Sequence, residues 1–429
     1  MYIMSLKDYK NVYCIGIGGI GLSAIARYFY TNGATVSGSD GASSRITDDL
    51  IKEGMMIYIG HNSSHIKKDI DLVIYTIAIP DYNVELVKAK ELGIACMSYP
   101  EALGILTKEY KTIAVCGTHG KTTTTAMIAS VLKACGKSPT VIVGSLLSTN
   151  GTNFIKGDSE YLVVEACEYK RSFLNLFPKY IVVTNIDEDH LDYYKDINDI
   201  KVAFQEFANK LSEDDKLITH KNVSLDTKAE KINADDIKED ISLSVLGKHN
   251  KENAKLALSL ARSLFLDEVK ARAGLKAFNG TWRRLEYKGE TNFGVKVYDD
   301  YGHHPEEIKV TIQALRDIYP KDKNLLYIFF QPHLYSRTLL LLDDFSKAFD
   351  EADCIYVMPI YASREKDKGE VSNKDLVEKL CLRDKKSIAL NNLDEMNYLI
   401  ENIKDNKVVV LNSGAGDAYV FLDKLKLKK

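Results

Sequence analysis

The run Gly117-Thr118-His119-Gly120-Lys121-Thr122-Thr123 sets a lysine between a glycine and two threonines, after the apolar stretch TIAVC and before the helical stretch TTTAMIASVLKACG. A strand, this loop and a helix make the context of a phosphate loop. Backbone N–H groups in such a loop wrap phosphate oxygens, Lys121 brings positive charge to the β- and γ-phosphates, and the Thr122 hydroxyl is placed to ligate Mg²⁺. The spacing departs from the common form, because Val115 stands where the first glycine usually does. The loop is shorter at that end and reads G-T-x-G-K-T. Gly117, Thr118, Gly120, Lys121, Thr122 and Thr123 are the nucleotide-phosphate candidates.

Two later runs end in acids. VVEACE carries Glu165 and Glu168, and IVVTNIDEDH carries Asn185, Asp187, Asp189 and His190. A carboxylate at the carboxyl end of a parallel strand lies near a phosphate loop on the neighbouring strand. Hard oxygen ligands with a histidine suit Mg²⁺ or Mn²⁺, and a nucleotide polyphosphate requires such a cation to offset its charge. Thr122, Glu165 and His190 are the metal candidates, whereas Glu168 and Asp187 read equally well as loop acids. No His/Cys group has the spacing of a structural zinc site.

An earlier glycine loop offers a second ligand site. Gly16, Gly18 and Gly21, with Gly19 between them, form G-x-G-x-x-G between NVYCIGI and the helical GLSAIARYFYTNG. The first glycine permits a tight turn, the second a close ligand approach and the third close helix–strand packing. The helix N-terminus then presents free N–H groups and positive dipole to a pyrophosphate. VSGSD ends the next strand with Ser39 and Asp40, where an acid can accept from a ribose hydroxyl. Taken alone, the pattern serves NAD, a flavin or a UDP-sugar, or is a glycine turn that binds nothing.

These loops need elements to hold them. Short apolar runs alternate with helix-like stretches throughout, which implies βαβ units on parallel sheets. NVYCIGI, ATVSGSD, DLVIYT and GIACMSY form a first series, KTIAVCG, PTVIVGS, EYLVVEA and KYIVVTN a second, and KVYDDYG, NLLYIFF, CIYVMPI and KVVVLNS a third. The 429 residues also suggest about three domains at roughly 150 residues each. Divisions near 107–110 and 282–287 give domains 1–108, 109–284 and 285–429. The charged stretch 212–244 reads as an exposed meander of the middle block.

Composition narrows the function classes. Hydrophobic residues make up 45% and charged residues 27%, which fits a globular chain and excludes a disordered one or a coiled coil. Lys and Arg number 57 against 60 Asp and Glu, a net charge of −3, so no nucleic-acid partner is expected. No apolar run approaches about 18 residues, so no membrane span is expected. Lys7, Asp8 and Lys10 precede a glycine-rich run in place of an apolar signal core, and the protein reads as cytoplasmic. The seven cysteines include no C-x-x-C pair, and several, such as Cys14 and Cys116, lie in apolar strand-like runs and read as small core residues.

GTHGKTTTT, EACE, TNIDEDHLD, GKHNKENA, DDYGHHP and FQPHLYSR occur in the order found in the Mur ligases. The chain resembles that family from residue 16 to residue 416, its alanine-adding branch above all. The resemblance implies an α/β protein of three domains: a Rossmann-like UDP-binding domain, a central P-loop ATPase-type domain and a C-terminal Rossmann-like domain. It also implies the chemistry. ATP, with Mg²⁺ or Mn²⁺, would phosphorylate the lactyl carboxylate of UDP-N-acetylmuramate, and the amine of L-alanine would attack the acyl phosphate. An alternative is the same nucleotide sugar with a peptide amine, as in murein recycling. A dinucleotide-dependent oxidoreductase would leave the phosphate loop and DDYGHHP unexplained, and a noncatalytic UDP-sugar-binding regulator would leave the apparently complete ATP set unused. The family reading is compatible with a monomer or a homodimer.

Carried over by residue, the resemblance gives Lys121 and Thr122 the phosphate and Mg²⁺ contacts, Glu165 the acidic metal position and His190 the histidine of the D-H motif. His249, Asn250 and Asn253 match the adenine segment H-N-x-x-N, although both asparagines also suit a helix start. Arg283 and Arg284 match an arginine pair at the central–C-terminal junction, where an arginine would reach ATP phosphates; a linker salt bridge is the other reading. Asp300 and Tyr301 fall in DDYGHHP, where the family contacts the nucleotide and closes the site. His303 and His304 follow, and adjacent residues on regular structure face different ways. His333, Tyr335 and Arg337 match FQPHLYSR, with Arg337 suited to an amino-acid carboxylate. His61, Thr76 and Asn83 fall in the uridine and pyrophosphate neighbourhood. Catalysis is thus expected of Lys121, His190, His304 and Arg337. Leu334 stands where some members have arginine, Trp282 where a smaller residue is frequent, and no lysine matches the one several members carbamylate.

Overall fold

The computed structural model describes residues 5–147, 151–190, 193–363 and 365–428. Each of the three series of apolar runs forms one sheet. The first joins β1 (Asn11–Ile15), β2 (Thr35–Asp40), β3 (Met56–Ile59), β4 (Leu72–Tyr75) and β5 (Ala95–Ser98), all parallel, in the order β3-β2-β1-β4-β5. β1 is apolar on both faces because helices cover both. Val12 and Cys14 join one core cluster, and Tyr13 and Ile15 another with Val73, Leu86 and Ala89. The strand order reverses between β1 and β4, and the carboxyl ends of strands at such a switch point open onto a ligand crevice.

The second sheet has seven strands: β6 (Lys111–Cys116), β7 (Thr140–Ile142), β8 (Phe154–Ile155), β9 (Tyr161–Glu165), β10 (Tyr180–Val183), β11 (Lys216–Thr219) and β12 (Glu230–Asn233). Their order is β12-β11-β10-β6-β9-β7-β8, parallel except for β8. β6 is therefore flanked by β9 and β10, the strands that end in EACE and TNIDEDH. The stretch 212–244 is more regular than its charge suggests, because it supplies β11 and β12. Leu217 and Ile218 are fully buried, while the charged residues lie on the flank and on the exposed edge strand, a placement that discourages edge-to-edge pairing.

The third sheet joins β13 (Glu286–Glu290), β14 (Lys296–Asp300), β15 (Leu325–Phe330), β16 (Cys354–Val357), β17 (Ser387–Ala389) and β18 (Val408–Ser413) in the order β13-β14-β18-β15-β16-β17. Only β13 is antiparallel to its neighbour. The chain divides into two compact units, one holding the first two sheets (Met1–Ser244 and Glu252–Asn279) and one holding the third (Val245–Lys251 and Gly280–Lys429). The stretch Val245–Lys251, which the sequence places in the central domain, thus goes with the third sheet. Leu246 packs against that sheet's core, and a Cβ on Gly247 would stand 3.2 Å from the Ala314 Cβ.

In the first unit, the helix Ile20–Thr31 after the first glycine loop is fastened to the β7–β8 edge of the second sheet. Asn153 donates to the Ile20 carbonyl and, at 2.9 Å, to Ser23 Oγ, and it accepts from Arg27 Nη1 at 2.6 Å. Arg27 is buried and also holds Glu53 with two nitrogens. Cys14, Cys116 and Cys354 are buried in their strands, and all seven cysteines are unbridged. Among the described residues, no helix is long and apolar enough to cross a membrane.

Candidate active site

The phosphate loop leaves β6 at Cys116 and enters the helix Lys121–Ala134. Two glycines make the turn possible. Gly117 (φ +138°) has Thr184 Oγ1 only 1.9 Å from where a Cβ would sit, and Gly120 (φ +81°) is the left-handed residue that starts the helix. Both positions tolerate only glycine without strain. The neighbouring strand end laces the loop in place. His119 N–H donates to Asn185 Oδ1 at 2.9 Å, Thr118 N–H to the Asn185 carbonyl at 3.2 Å, and Asp187 N–H to Thr118 Oγ1 at 2.8 Å. Asn185 and Asp187 are therefore architectural members of the loop.

Lys121 folds back over this turn. Its ammonium donates to the carbonyls of Gly117 (2.6 Å) and Thr118 (3.0 Å) and to Glu168 Oε1 (2.8 Å), which uses all three of its protons. Burial alone would lower its pKa. The Glu168 carboxylate outweighs that and holds the ammonium above the ordinary lysine value. Glu168 is itself buried, and its Oε2 has no hydrogen-bond partner among the described residues. The sequence leaves this residue between loop acid and functional group, whereas the fold makes it the counter-ion of the phosphate-loop lysine.

Glu165 ends β9 beside the loop. Its carboxylate accepts from Thr122 Oγ1 at 2.9 and 3.1 Å and from Gly144 N–H at 2.7 Å. His190 (φ +54°) lies 3.7 Å from both Glu168 and Asp189, with its ring 4.9 Å from that of Tyr169. The expected metal set thus forms two neighbouring groups, Thr122 with Glu165 and His190 with Glu168 and Asp189. A hydroxyl, carboxylates, one imidazole and the unpartnered Glu168 Oε2 make a donor set suited to Mg²⁺ or Mn²⁺.

The first glycine loop is set by β2. Gly16 and Ile17 donate to the Ser39 carbonyl at 2.8 and 3.0 Å, and Gly18 N–H donates to Asp40 Oδ2 at 2.8 Å. Asp40, expected at a ribose, has one oxygen fastening the loop. Gly16 (φ +82°) faces Thr76, whose Cγ2 lies 2.4 Å from a would-be Cβ, and Gly21 faces the Tyr99 ring at 2.7 Å. Gly19 caps the helix Ile20–Thr31. Asn83 caps the helix Val84–Glu91 by accepting from Glu85 and Leu86 N–H groups. His61 and Ser39 meet at 3.1 Å, both on the carboxylate of Glu85. Sequence reasoning missed Glu85, and no spacing marks it, because a lone glutamate in a first helical turn is ordinary.

The second unit gathers another cluster. Asp300 ends β14, is buried, and accepts from Leu285 N–H (2.7 Å), Gly302 N–H (2.8 Å) and Thr311 Oγ1 (3.3 Å). Arg284 lies 3.9 Å from Glu307, with its guanidinium 5.3 Å from the Tyr301 ring. Burial, aided by the Arg284 charge, lowers the pKa of His249 and keeps its imidazole neutral. Asn250 Nδ2 donates to the Leu246 carbonyl at 2.5 Å, a local bond at the start of the helix Lys248–Ser263. In the first unit, Asn253 Oδ1 lies 2.8 Å from where a Cβ on Gly120 would sit, so that asparagine adjoins the phosphate loop.

His303 and His304 do part. The His303 ring turns toward Tyr301 (5.3 Å) and His333 (5.8 Å), while His304 caps the helix Pro305–Ile318 and its Nδ1 accepts from Glu306 N–H. His333 stacks on Tyr361 and lies 3.5 Å from Arg337 Nη1, on the helix Tyr335–Leu340 that Tyr335 begins. Leu334, at the departure from arginine, takes a φ of +69°. Arg283 is not at the surface of this cluster. It is buried against Asp299 at 2.9 Å, the linker ion pair of the two readings.

Burial pushes the Asp300 carboxyl up to about 6, against Arg284 and the two N–H donors that lower it. The folded state therefore binds this proton more tightly than the unfolded chain. Its stabilising contribution is full below the unfolded value near 3.8 and is lost as pH rises through 6. Relative to Asp300→Asn, wild type should lose about 2 kcal/mol of unfolding free energy between pH 4 and pH 6. Urea titrations of both proteins across that range test it; parallel pH curves would show that Asp300 is not perturbed.

The family models described as Mur ligase family catalytic domain, Mur ligase middle domain, and Mur ligase glutamate ligase domain match residues 11–111, 115–235 and 283–416. UDP-N-acetylmuramate–L-alanine ligase of Clostridium botulinum strain Hall is 42% identical, over 96% of each chain. The enzyme of that name from Caldanaerobacter subterraneus subsp. tengcongensis is 41% identical over 97% of each. Among solved structures, UDP-N-acetylmuramate–alanine ligase from Thermotoga maritima superposes with a TM-score of 0.81 at 28% identity, covering 96% of this chain and 98% of its own. A murein peptide ligase from Psychrobacter arcticus, 21% identical, shares the fold with a TM-score of 0.71 over 98% of this chain and 100% of its own.

Proposed function

This chain belongs to the Mur ligase family, and from that premise we propose that it joins L-alanine to the lactyl carboxylate of UDP-N-acetylmuramate using ATP, in peptidoglycan precursor synthesis. The observation that carries the reading is the half-buried Lys121 of the phosphate loop, with Glu165 and Glu168 beside it, in a chain 42% identical along its length to enzymes of that name.

The chemistry needs what these residues offer. A carboxylate is a poor electrophile, and phosphorylation turns one of its oxygens into a leaving group. Charge develops first on the transferring phosphoryl group and then on a tetrahedral intermediate. Lys121 leaves Glu168 for the phosphates of ATP, and the N–H groups of the loop hold their oxygens. Thr122, Glu165 and His190 would hold Mg²⁺, which offsets the phosphate charge when bound. Asn253 beside Gly120, and in the second unit His249, Arg284 and Asp300, serve the nucleotide. Tyr301, His303, His333, Tyr335 and Arg337 serve the amino acid, with the Arg337 guanidinium as fork for its carboxylate. The first glycine loop, with Ser39, Asp40, His61, Thr76 and Asn83, takes the UDP half of the other substrate. The reaction belongs in the cytoplasm, where nucleotide sugars and ATP are made.

The test is phosphate release from ATP with Mg²⁺, omitting UDP-N-acetylmuramate or L-alanine in turn, with mass spectrometry of the product. Turnover only with both, and a product heavier by one alanine residue, is expected. Turnover that ignores alanine but responds to a peptide would change the substrate and keep the mechanism. Glu165→Gln removes the one carboxylate of these three ligands and should raise the Mg²⁺ concentration for half-maximal rate by about tenfold or more. An unchanged Mg²⁺ titration would remove Glu165 from the metal site.

A further inference from the structure

One buried residue of the first domain, Glu85, has so far been given no role. Glu85 lies in the first turn of the helix Val84–Glu91 and is wholly buried, yet five donors converge on its carboxylate. Oε1 accepts from Tyr13 Oη (2.8 Å), His65 Nδ1 (2.7 Å) and Asn62 N–H (3.3 Å). Oε2 accepts from Ser39 Oγ (2.5 Å) and His61 Nδ1 (2.9 Å). These donors come from β1, whose carboxyl end carries the glycine loop, from the end of β2, which fastens that loop, and from the segment after β3.

The chemistry of the hub fixes two rings. An ionised carboxylate only accepts, so the Nδ1 of each histidine must carry the proton. In a neutral imidazole the other nitrogen, Nε2, is then an acceptor. Burial pushes the Glu85 carboxyl up, but its bonds to Ser39, His61, His65 and Tyr13 outweigh this and hold it below the ordinary value, so the acceptor state persists at neutral pH. The two rings are less buried than the carboxylate: His61 is 26% and His65 18% exposed at the side chain, against 0% for Glu85. His65 is further held by stacking on Tyr58 at 4.0 Å.

The hub also sits directly behind the glycine loop. The Ser39 carbonyl accepts from Gly16 and Ile17, while its hydroxyl donates to Glu85. Gly60 N–H donates to the Asp40 carbonyl at 2.7 Å, which ties the turn before His61 to the same strand end. The glycine loop offers N–H donors, which suit phosphate oxygens. An imidazole acceptor suits the opposite partner, an O–H or N–H of the nucleoside.

We propose that Glu85 is a positioning residue for the nucleotide half of the substrate: it locks His61, and with it His65, in the Nδ1–H tautomer so that Nε2 accepts from an O–H or N–H donor of the uridine. The inference rests on the reading that the first domain takes the UDP moiety. Glu85 touches no substrate atom itself and acts through the rings.

The experiment uses the full chain and UDP as probe, with wild type, Glu85→Gln, His61→Ala and the double variant. A glutamine has one acceptor oxygen and an amide that would face a histidine N–H, so it cannot fix both rings. Glu85→Gln and His61→Ala are each expected to raise the Kd for UDP by calorimetry, and the KM for UDP-N-acetylmuramate, about tenfold, with kcat and the KM for ATP unchanged. The double variant should lose less than the product of the two single losses, because both act through one ring. A merely structural glutamate would lower the melting temperature and leave the UDP affinity alone; that result, or multiplicative losses, overturns the inference. Should Glu85→Gln fail to fold, His61→Ala and His65→Ala carry the test, and unaltered UDP affinity in both overturns it. Wild-type protein that neither binds UDP nor forms product overturns the underlying reading, which distinguishes that failure from this one.

Discussion

Lys121→Ala is expected to lower the rate of ATP-dependent ligation by about 10²–10³, the usual loss when one preorganised charge is removed from a transferring group. The structure adds a second consequence. Lys121 is the partner of Glu168, which is 2% exposed and has one oxygen already without a hydrogen bond among the described residues. Removing the ammonium leaves a buried carboxylate uncompensated, and breaking such a pair costs about 3–5 kcal/mol. A slow Lys121→Ala variant could therefore be slow because it is partly unfolded. The pair Lys121→Met with Glu168→Gln separates the two effects, since it removes both charges and nearly keeps the volumes. The double variant should recover most of the urea stability and none of the turnover. Phosphate release within tenfold of wild type in Lys121→Ala, with folding checked by circular dichroism, would remove the lysine from the chemistry.

Arg283→Ala is expected to be the most destabilising single change in the second unit. The side chain is 1% exposed and its guanidinium is spoken for on every side. Nε donates to Asp299 Oδ2 at 2.9 Å, Nη1 to the Gly416 carbonyl at 3.4 Å and Nη2 to that of Gly414. Asp299 also accepts from Asn412 Nδ2 at 2.7 Å. The rings of Tyr419, Tyr301 and Trp282 lie 4.7, 5.3 and 5.8 Å from the guanidinium carbon. Alanine would leave a buried aspartate, two unpaired carbonyls and a void, so a loss of at least about 3–5 kcal/mol follows. Lysine keeps the charge but not the fork and should recover only part of it. Arg284→Ala provides the contrast. That side chain is 31% exposed, so its loss should show in the KM for ATP and hardly in the urea midpoint. Equal stability losses for the two arginines would mean that the buried network is not what holds β14 to the turn at Gly414.

The large ring at position 282 also gains an explanation here. The sequence marks Trp282 only as bulkier than usual. In the fold it packs edge-on against Tyr419 at 5.0 Å, beside the buried guanidinium. Aromatic faces attract a guanidinium and exclude water from its ion pair, so the indole helps enclose Arg283.

Although it read 212–244, which supplies β11 and β12, as a meander, the sequence by itself determined the central strands of the three sheets, the strand–loop–helix junctions and the residues that make each loop. These are local matters. Glycine suits the strongly positive φ of the turn at Gly117 and Gly120, and an apolar run covered on both faces suits a strand. Only the tertiary structure decided which charges meet. Glu165 and Glu168 are three residues apart in one motif, but one faces Thr122 and the other Lys121, across 43 and 47 residues of chain. Glu85 meets Tyr13 across 72 residues, and Arg283 reaches Gly414 across 131. Neighbouring arginines at 283 and 284 look alike in the sequence and differ wholly in burial. The physical reason is that backbone geometry is set by neighbours along the chain, whereas the pairing of a charge depends on burial and on distance to groups that only folding brings near.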